Sequence, residues 1–166
     1  MEELEWLQHI NSEYPRAVLG KEEFLCPKIP ILRVEPGQIL FLVKALSDRS
    51  KTWPPMGIES LCAADVGSEL ELLYLLHHQD DQRMVMGLRV TLPFGRPGTP
   101  VSLDSISGVW PLSALFETEI SDLFGVHFRK KKNKVFQAEG KNFLIEDWDG
   151  YPLRKEYLFL PQGANQ

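Results

Sequence analysis

Apolar positions along the chain follow two periods. Leu4, Leu7 and Ile10 recur at helical spacing, with Trp6 beside them, and predict a helix over residues 2–13. Tyr14-Pro15 ends it, because proline drives the preceding residue out of the helical region. Ala17-Val18-Leu19 and Ile31-Leu32-Arg33-Val34 read as short strands. Pro36 suits the first position of a second helix, having no N–H to leave unpaired. Ile39, Leu40, Leu42, Val43 and Leu46 carry that helix over 36–47. Residues 47–57, with Trp53-Pro54-Pro55, form a loop.

Sheet pattern follows. Residues 58–66 and the apolar run 70–77 predict two strands, and His78 to Gln82 supplies a polar turn. Met84, Met86, Leu88, Val90 and Leu92 alternate with Val85, Gly87, Arg89 and Thr91, the period of a strand with one buried face. These segments make an antiparallel hairpin or meander. Residues 93–100, rich in Gly and Pro, form a loop. The third helix spans 111–124, opened by Pro111 and closed by Gly125, which tolerates a left-handed stop. Its apolar stripe is Leu112, Leu115, Phe116, Ile120, Leu123 and Phe124. A basic run, Arg129 to Lys134, precedes a short hairpin through Val135-Phe136 and Phe143-Leu144-Ile145. Helices and strands do not alternate strictly, which favours a two-layer α+β domain over a doubly wound fold.

Composition narrows the classes. A chain of 166 residues can bury a full core, and 43% hydrophobic with 25% charged residues excludes a mostly disordered chain. No apolar run reaches about 18 residues, so no transmembrane helix is expected. The acidic opening Met1-Glu2-Glu3-Leu4-Glu5 lacks a signal-peptide layout, so the expected location is cytoplasmic, without export. A net charge of −5 gives no general attraction to nucleic acid or anionic lipid. Cys26 and Cys62 cannot build a cluster site and read as two buried thiols. Phosphate loops, dinucleotide fingerprints, nucleophile elbows, C-x-x-C and H-E-x-x-H are absent, and His77 and His78 point to opposite faces of a strand. No catalytic residue, cofactor or metal is expected.

The remaining chemistry lies in Glu117, Glu119 and Asp122. By its spacing from Leu112, Phe116 and Leu123, Glu119 should lie along the apolar stripe, while Glu117 and Asp122 fall on or beside the polar side. A carboxylate on the stripe needs a cation, so Glu119, and after it Glu117, is expected to pair with Arg154, whose guanidinium grips through two bonds, or with an arginine of a partner. Tyr151, Leu153 and Tyr157 to Leu160 form an apolar end that must be covered by the domain or by a partner. A hydrolase using Glu117 and Glu119 is disfavoured, since residues two apart on a helix diverge by roughly 200°. A nucleic-acid module on the basic run is disfavoured by its lack of interleaved aromatics.

The stretches Glu117-Thr118-Glu119-Ile120-Ser121-Asp122-Leu123-Phe124-Gly125 and Gly150-Tyr151-Pro152-Leu153-Arg154-Lys155-Glu156-Tyr157 resemble the two signatures of the 30 kDa subunit family, the C subunit, of the respiratory NADH:quinone oxidoreductase, complex I. Leu61 to Asp65 and Leu72 to Leu76 are similar to that family's paired strands. The family's arginine between the glutamates is Thr118 here, its histidine before the proline is Tyr151, and its H-P pair is replaced by the basic run and an insertion reaching about Lys141. The resemblance implies a partner-binding or structural role for Glu117, Glu119, Asp122, Gly125, Gly150, Pro152, Leu153, Arg154 and Lys155. It implies no flavin and no iron–sulfur cluster.

The expected architecture is α+β, two layers, with helices on a mixed, mostly antiparallel sheet. Residues 1–148 form the compact domain, and 149–166 form an extended tail that leaves it at Gly150 to dock on a partner. The expected function is a non-catalytic peripheral-arm subunit of complex I. It scaffolds the large quinone-site D subunit and its neighbours, on the cytoplasmic side of the membrane. It touches the membrane only through the complex and binds no nucleic acid. The alternative is the equivalent small subunit of a group 4 membrane-bound hydrogenase or formate hydrogenlyase, beside the hydrogenase large subunit.

Overall fold

The computed structural model describes residues 3–23, 29–48, 56–78, 85–94, 101–129, 143–145 and 148–157. Helix α1 spans Glu3–Glu13, α2 Ile39–Leu46 and α3 Ser113–Phe124. The strands are β1 Val18–Glu23, β2 Pro30–Val34, β3 Met56–Asp65, β4 Glu69–His78, β5 Val85–Pro93, β6 Val101–Asp104 and β7 Val126–Arg129. Pro36–Gln38 forms a 3-10 turn that opens α2, so the proline serves the tighter turn ahead of the helix rather than the helix itself.

Five strands form one mixed sheet in the order β1-β2-β5-β4-β3. The meander β3-β4-β5 is antiparallel throughout, β1 pairs antiparallel with β2, and β2 runs parallel to β5. Register places Leu70, Leu72, Tyr74 and Leu76 opposite Leu92, Val90, Leu88 and Met86, all buried on one face. Leu32 and Val34 extend that face, and Leu7, Ile10, Ile39, Leu42, Val43 and Leu46 belong to the same core. Alternate positions turn to the other face. There Arg89 meets Glu22 at 2.6 Å and Arg33 meets the same carboxylate at 3.2 Å. Gly87 lies on that second face, where an added Cβ would come within 3.0 Å of Ile31 and 3.1 Å of Leu73.

The α+β, two-layer expectation therefore holds. Two strands escaped the sequence reading. β6 and β7 flank α3 and pair in parallel, Val101 with Val126 and Leu103 with Phe128. They make a small β-α-β unit inside a fold whose elements otherwise do not alternate. Arg129 is the last residue of β7, with Nε 3.0 Å from Asp104 Oδ1. Residues 130–142 lie outside the described residues, as does the first arm of the expected hairpin at Val135-Phe136. Its second arm, 143–145, is bent backbone rather than strand. The turn expected after His78 also lies outside the described residues, and β3 begins at Met56, inside the stretch read as loop.

Candidate functional site

Both signatures meet at α3. Its register differs from the expected one. Glu117 is fully buried and Asp122 is buried, while Glu119, expected on the buried stripe, is exposed. The inward face is Ser113, Ala114, Glu117, Ile120 and Phe124. The helix is thus turned by roughly a quarter of its circumference from the register that would bury every apolar residue.

Hydrogen bonding explains that rotation. Ser105 Oγ donates to Glu117 Oε2 at 2.7 Å, Ile106 N–H donates to Oε1 at 2.8 Å, and Ser113 Oγ reaches Oε1 at 3.3 Å. Ser107 supports the cluster from 2.7 Å away, hydroxyl to hydroxyl with Ser105. A buried carboxylate with several donors is tolerated where a bare one is not. Tyr74 lies close enough to be affected: burial first, and then the Glu117 charge, push its phenol well above the ordinary value of 10.0. Thr118, also buried, donates its hydroxyl to Ala114 O at 2.7 Å.

The helix ends as expected. Gly125 adopts φ 70°, and its N–H returns to Ser121 O at 3.0 Å. A Cβ at Gly125 would run into the Tyr151 ring, so the second signature lies directly against the end of the first. Gly150 is also left-handed, at φ 75°, and a Cβ there would meet the Tyr157 ring at 2.8 Å. Tyr157 stacks on Trp148, with centroids 6.4 Å apart and planes 18° apart.

Three hydrogen bonds fasten this segment. Leu153 N–H donates to Leu123 O at 3.1 Å, Arg154 Nε donates to Phe124 O, and Lys155 N–H donates to Asp65 Oδ2 at 2.9 Å. Arg154 is only 4% exposed, and its guanidinium lies 3.9 Å over the Phe94 ring. Its Nη1 and Nη2 have no hydrogen-bond partner among the described residues. Burial lowers its pKa, and the Glu156, Asp65 and Tyr151 charges oppose that shift.

Two expectations are therefore corrected. Arg154 grips the carbonyl at the end of α3 and an aromatic face, not Glu119, because Glu119 is turned to solvent. The segment does not leave the domain at Gly150: it is stitched to α3 and β3 through Tyr157, and 158–166 lie outside the described residues. Asp122 anchors another segment, its Oδ2 accepting from Phe143 N–H at 2.7 Å. Pro152 is half-buried within the stitched turn.

Sequence reasoning missed Ser105, Ser107, Ser113 and Phe94. A serine-rich stretch before a helix carrying a glutamate was the available signal for the first three. Cys62, expected buried, is exposed. Among the described residues no three His, Cys, Asp or Glu side chains gather at metal-binding spacing. A cleft of about 450 Å³ is lined by Glu13, Tyr14, Pro15, Arg16, Ala17, Gln38 and Phe41, none of them a signature residue. Among the described residues, Glu117, Asp122 and Arg154 form a buried structural junction around α3.

Residues 32–162 match the family model described as respiratory-chain NADH dehydrogenase, 30 Kd subunit. The chain is 28% identical over 163 residues to the C subunit of NADH-quinone oxidoreductase from Roseiflexus sp. (strain RS-1), covering 96% of this chain and 84% of that one. It is 25% identical over 137 residues to the C/D subunit of NADH-quinone oxidoreductase from Chromohalobacter salexigens, covering 81% of this chain and 20% of the relative. Its fold is similar to a chain in the membrane-bound sulfane sulfur reductase, an archaeal respiratory membrane complex, with TM-score 0.72 at 18% identity, covering 96% and 88% of the two chains. With its two signatures joined at one helix and the match running over most of its length, the chain belongs to the 30 Kd subunit family of the respiratory-chain NADH dehydrogenase.

Proposed function

We propose that the chain is a non-catalytic peripheral-arm subunit that holds the large quinone-site D subunit in register with its neighbours. The observation that carries this reading is the use made of the signature polar groups. Glu117, Asp122 and Arg154 are spent on internal bonds that join α3, the 105–107 turn, and the segments at 143 and 150–157. Residues so used build a rigid surface rather than a reaction centre. The C/D in the name of the Chromohalobacter relative supports a neighbour of the D type.

No described helix is long and apolar enough to cross a membrane. We assign the chain to the cytoplasmic side, peripheral, attached through its complex. A second reading has an observation of its own. Thr118 and Tyr151 stand where the family carries arginine and histidine, and both are built into the junction, Thr118 buried and Tyr151 against Gly125. A host related to membrane-bound hydrogenases, with a similar large subunit, fits such rewiring.

The test is affinity purification of the tagged full chain from detergent-solubilised membranes of its own source. Recovery of a D-type large subunit with NADH:quinone activity supports the first reading. Recovery of a nickel-binding large subunit supports the second. A chain released alone, with no large subunit bound, contradicts both.

A further inference from the structure

Away from the junction, the chain builds a second feature that its signatures leave unused. The cleft beside α1, about 450 Å³, has the size of a small-molecule site. Five of its seven lining residues, Glu13 to Ala17, precede residue 32, where the match to the family begins. Backbone bonds hold its shape. Tyr14 O accepts from the N–H groups of Ala17 and Val18, Glu35 N–H donates to Ala17 O, and Gln38 N–H donates to Glu35 O. Tyr14 and Phe41 form two of its walls, with ring centroids 5.5 Å apart and planes 76° apart. Tyr14 is half-buried and Phe41 is 55% exposed. The Tyr14 hydroxyl donates to Glu13 Oε1 at 3.0 Å, and His9 Nε2 lies 3.5 Å from Glu13 Oε2, so a carboxylate is fixed beside the rings. Arg16 adds a cation to the lining.

We propose that this cleft binds a zwitterion built on a quaternary ammonium, with its methylated cation in the corner between Tyr14 and Phe41 beside Glu13, and its anion toward Arg16. Ring geometry selects the cation. Rings at 76° offer no pair of parallel faces, so a flat aromatic ligand stacks on one wall only. A round methylated ammonium meets both. With centroids 5.5 Å apart, a single point lies within about 6 Å of each, the reach of a cation–π contact. A primary ammonium holds its water more strongly and gains less from the rings. Charge selects the rest of the ligand. A molecule with only a cation gains at Glu13 what it loses at Arg16, whereas a zwitterion gains at both. An uncharged apolar ligand takes water from both charged side chains and returns nothing. The same chemistry occurs in free betaines and in the phosphocholine headgroup of a lipid. The site is independent of the assembly role, because it uses none of the residues of the junction.

The test titrates the full chain with glycine betaine and with phosphocholine, followed by NMR. At least one of them should shift the Tyr14 and Phe41 ring signals, with a Kd of about 1 mM. Phe41→Leu keeps apolar bulk at an exposed position and removes one π face. It should leave the melting temperature within about 2 °C of wild type and weaken binding about fivefold. Arg16→Gln should weaken binding of the zwitterion yet strengthen binding of tetramethylammonium, an inversion that a merely structural residue would not produce. Vesicles of phosphatidylcholine separate the two sources. Co-sedimentation of the wild-type chain, reduced by Phe41→Leu, assigns the lipid headgroup; binding of the free zwitterion without co-sedimentation assigns the betaine. Ring signals unmoved by about 20 mM of either zwitterion overturn the proposal. So do equal affinities for wild type and Phe41→Leu.

Discussion

Glu117 carries the most consequential side chain of the fold. Its two oxygens take three donors inside the protein, so neither donor group nor acceptor can be removed without leaving a partner bare. Glu117→Gln turns one acceptor into an NH2 group facing donors. It should destabilise the chain by about 1–3 kcal/mol, and Glu117→Ala by at least as much. Denaturant melts of the full chain check this. Tyr74 offers a second measurement, in alkali. Its folded pKa lies above 10.0, so the unfolded chain releases this proton first. The phenol's contribution is complete below pH 10 and is lost as pH rises beyond it, at about 1.4 kcal/mol per pH unit. Tyr74→Phe should flatten the alkaline slope of stability by one proton. It should also cost little at neutral pH, since the hydroxyl has no hydrogen-bond partner among the described residues. An unchanged slope in stability measured from about pH 9 to about pH 12 would refute that. Gly125 combines two constraints, a left-handed backbone and the Tyr151 ring against it. Gly125→Ala should cost more than the ~1–2 kcal/mol of backbone strain alone, and Tyr151→Ala should reduce the excess but not the strain.

At the scale of elements, α3 shows where legibility ended. Its existence, its length and its glycine stop were readable from periodicity and from Gly125. Its rotation was not, because Ile120 and Phe124 belong to both possible apolar stripes. The deciding contribution came from Ser105, Ile106 and Ser113, groups distant from or silent in the hydrophobic pattern. The register makes a clean contrast. Glu119→Gln, at an exposed position, should leave melting within about 0.5 kcal/mol of wild type, while Glu117→Gln does not. Equal effects from the two would restore the stripe register. The meander was legible because β4 is a short apolar run with a polar turn after it and β5 alternates its large apolar residues with other positions. The strands β6 and β7 were not, being four residues each. Two buried positions in so short a strand carry too little period to separate it from a loop, and pairing across a helix is invisible to a local pattern. The meeting of the two signatures was likewise non-local: the motifs were readable, but Gly125 beneath Tyr151 and Phe124 O beneath Arg154 required the fold.

For the whole molecule, Glu117, Asp122 and Arg154 work from within. They bind α3 to the turn before it, to the segment at Phe143 and to the segment after Trp148. The most direct measurement recovers the large subunit through a tag on the full chain, wild type beside Glu117→Ala, and takes the melting temperature of each. The account predicts a large subunit beside the wild-type chain, and for Glu117→Ala a lowered melting temperature with less large subunit. A wild-type chain recovered alone, or a Glu117→Ala chain that melts as wild type does, would contradict it.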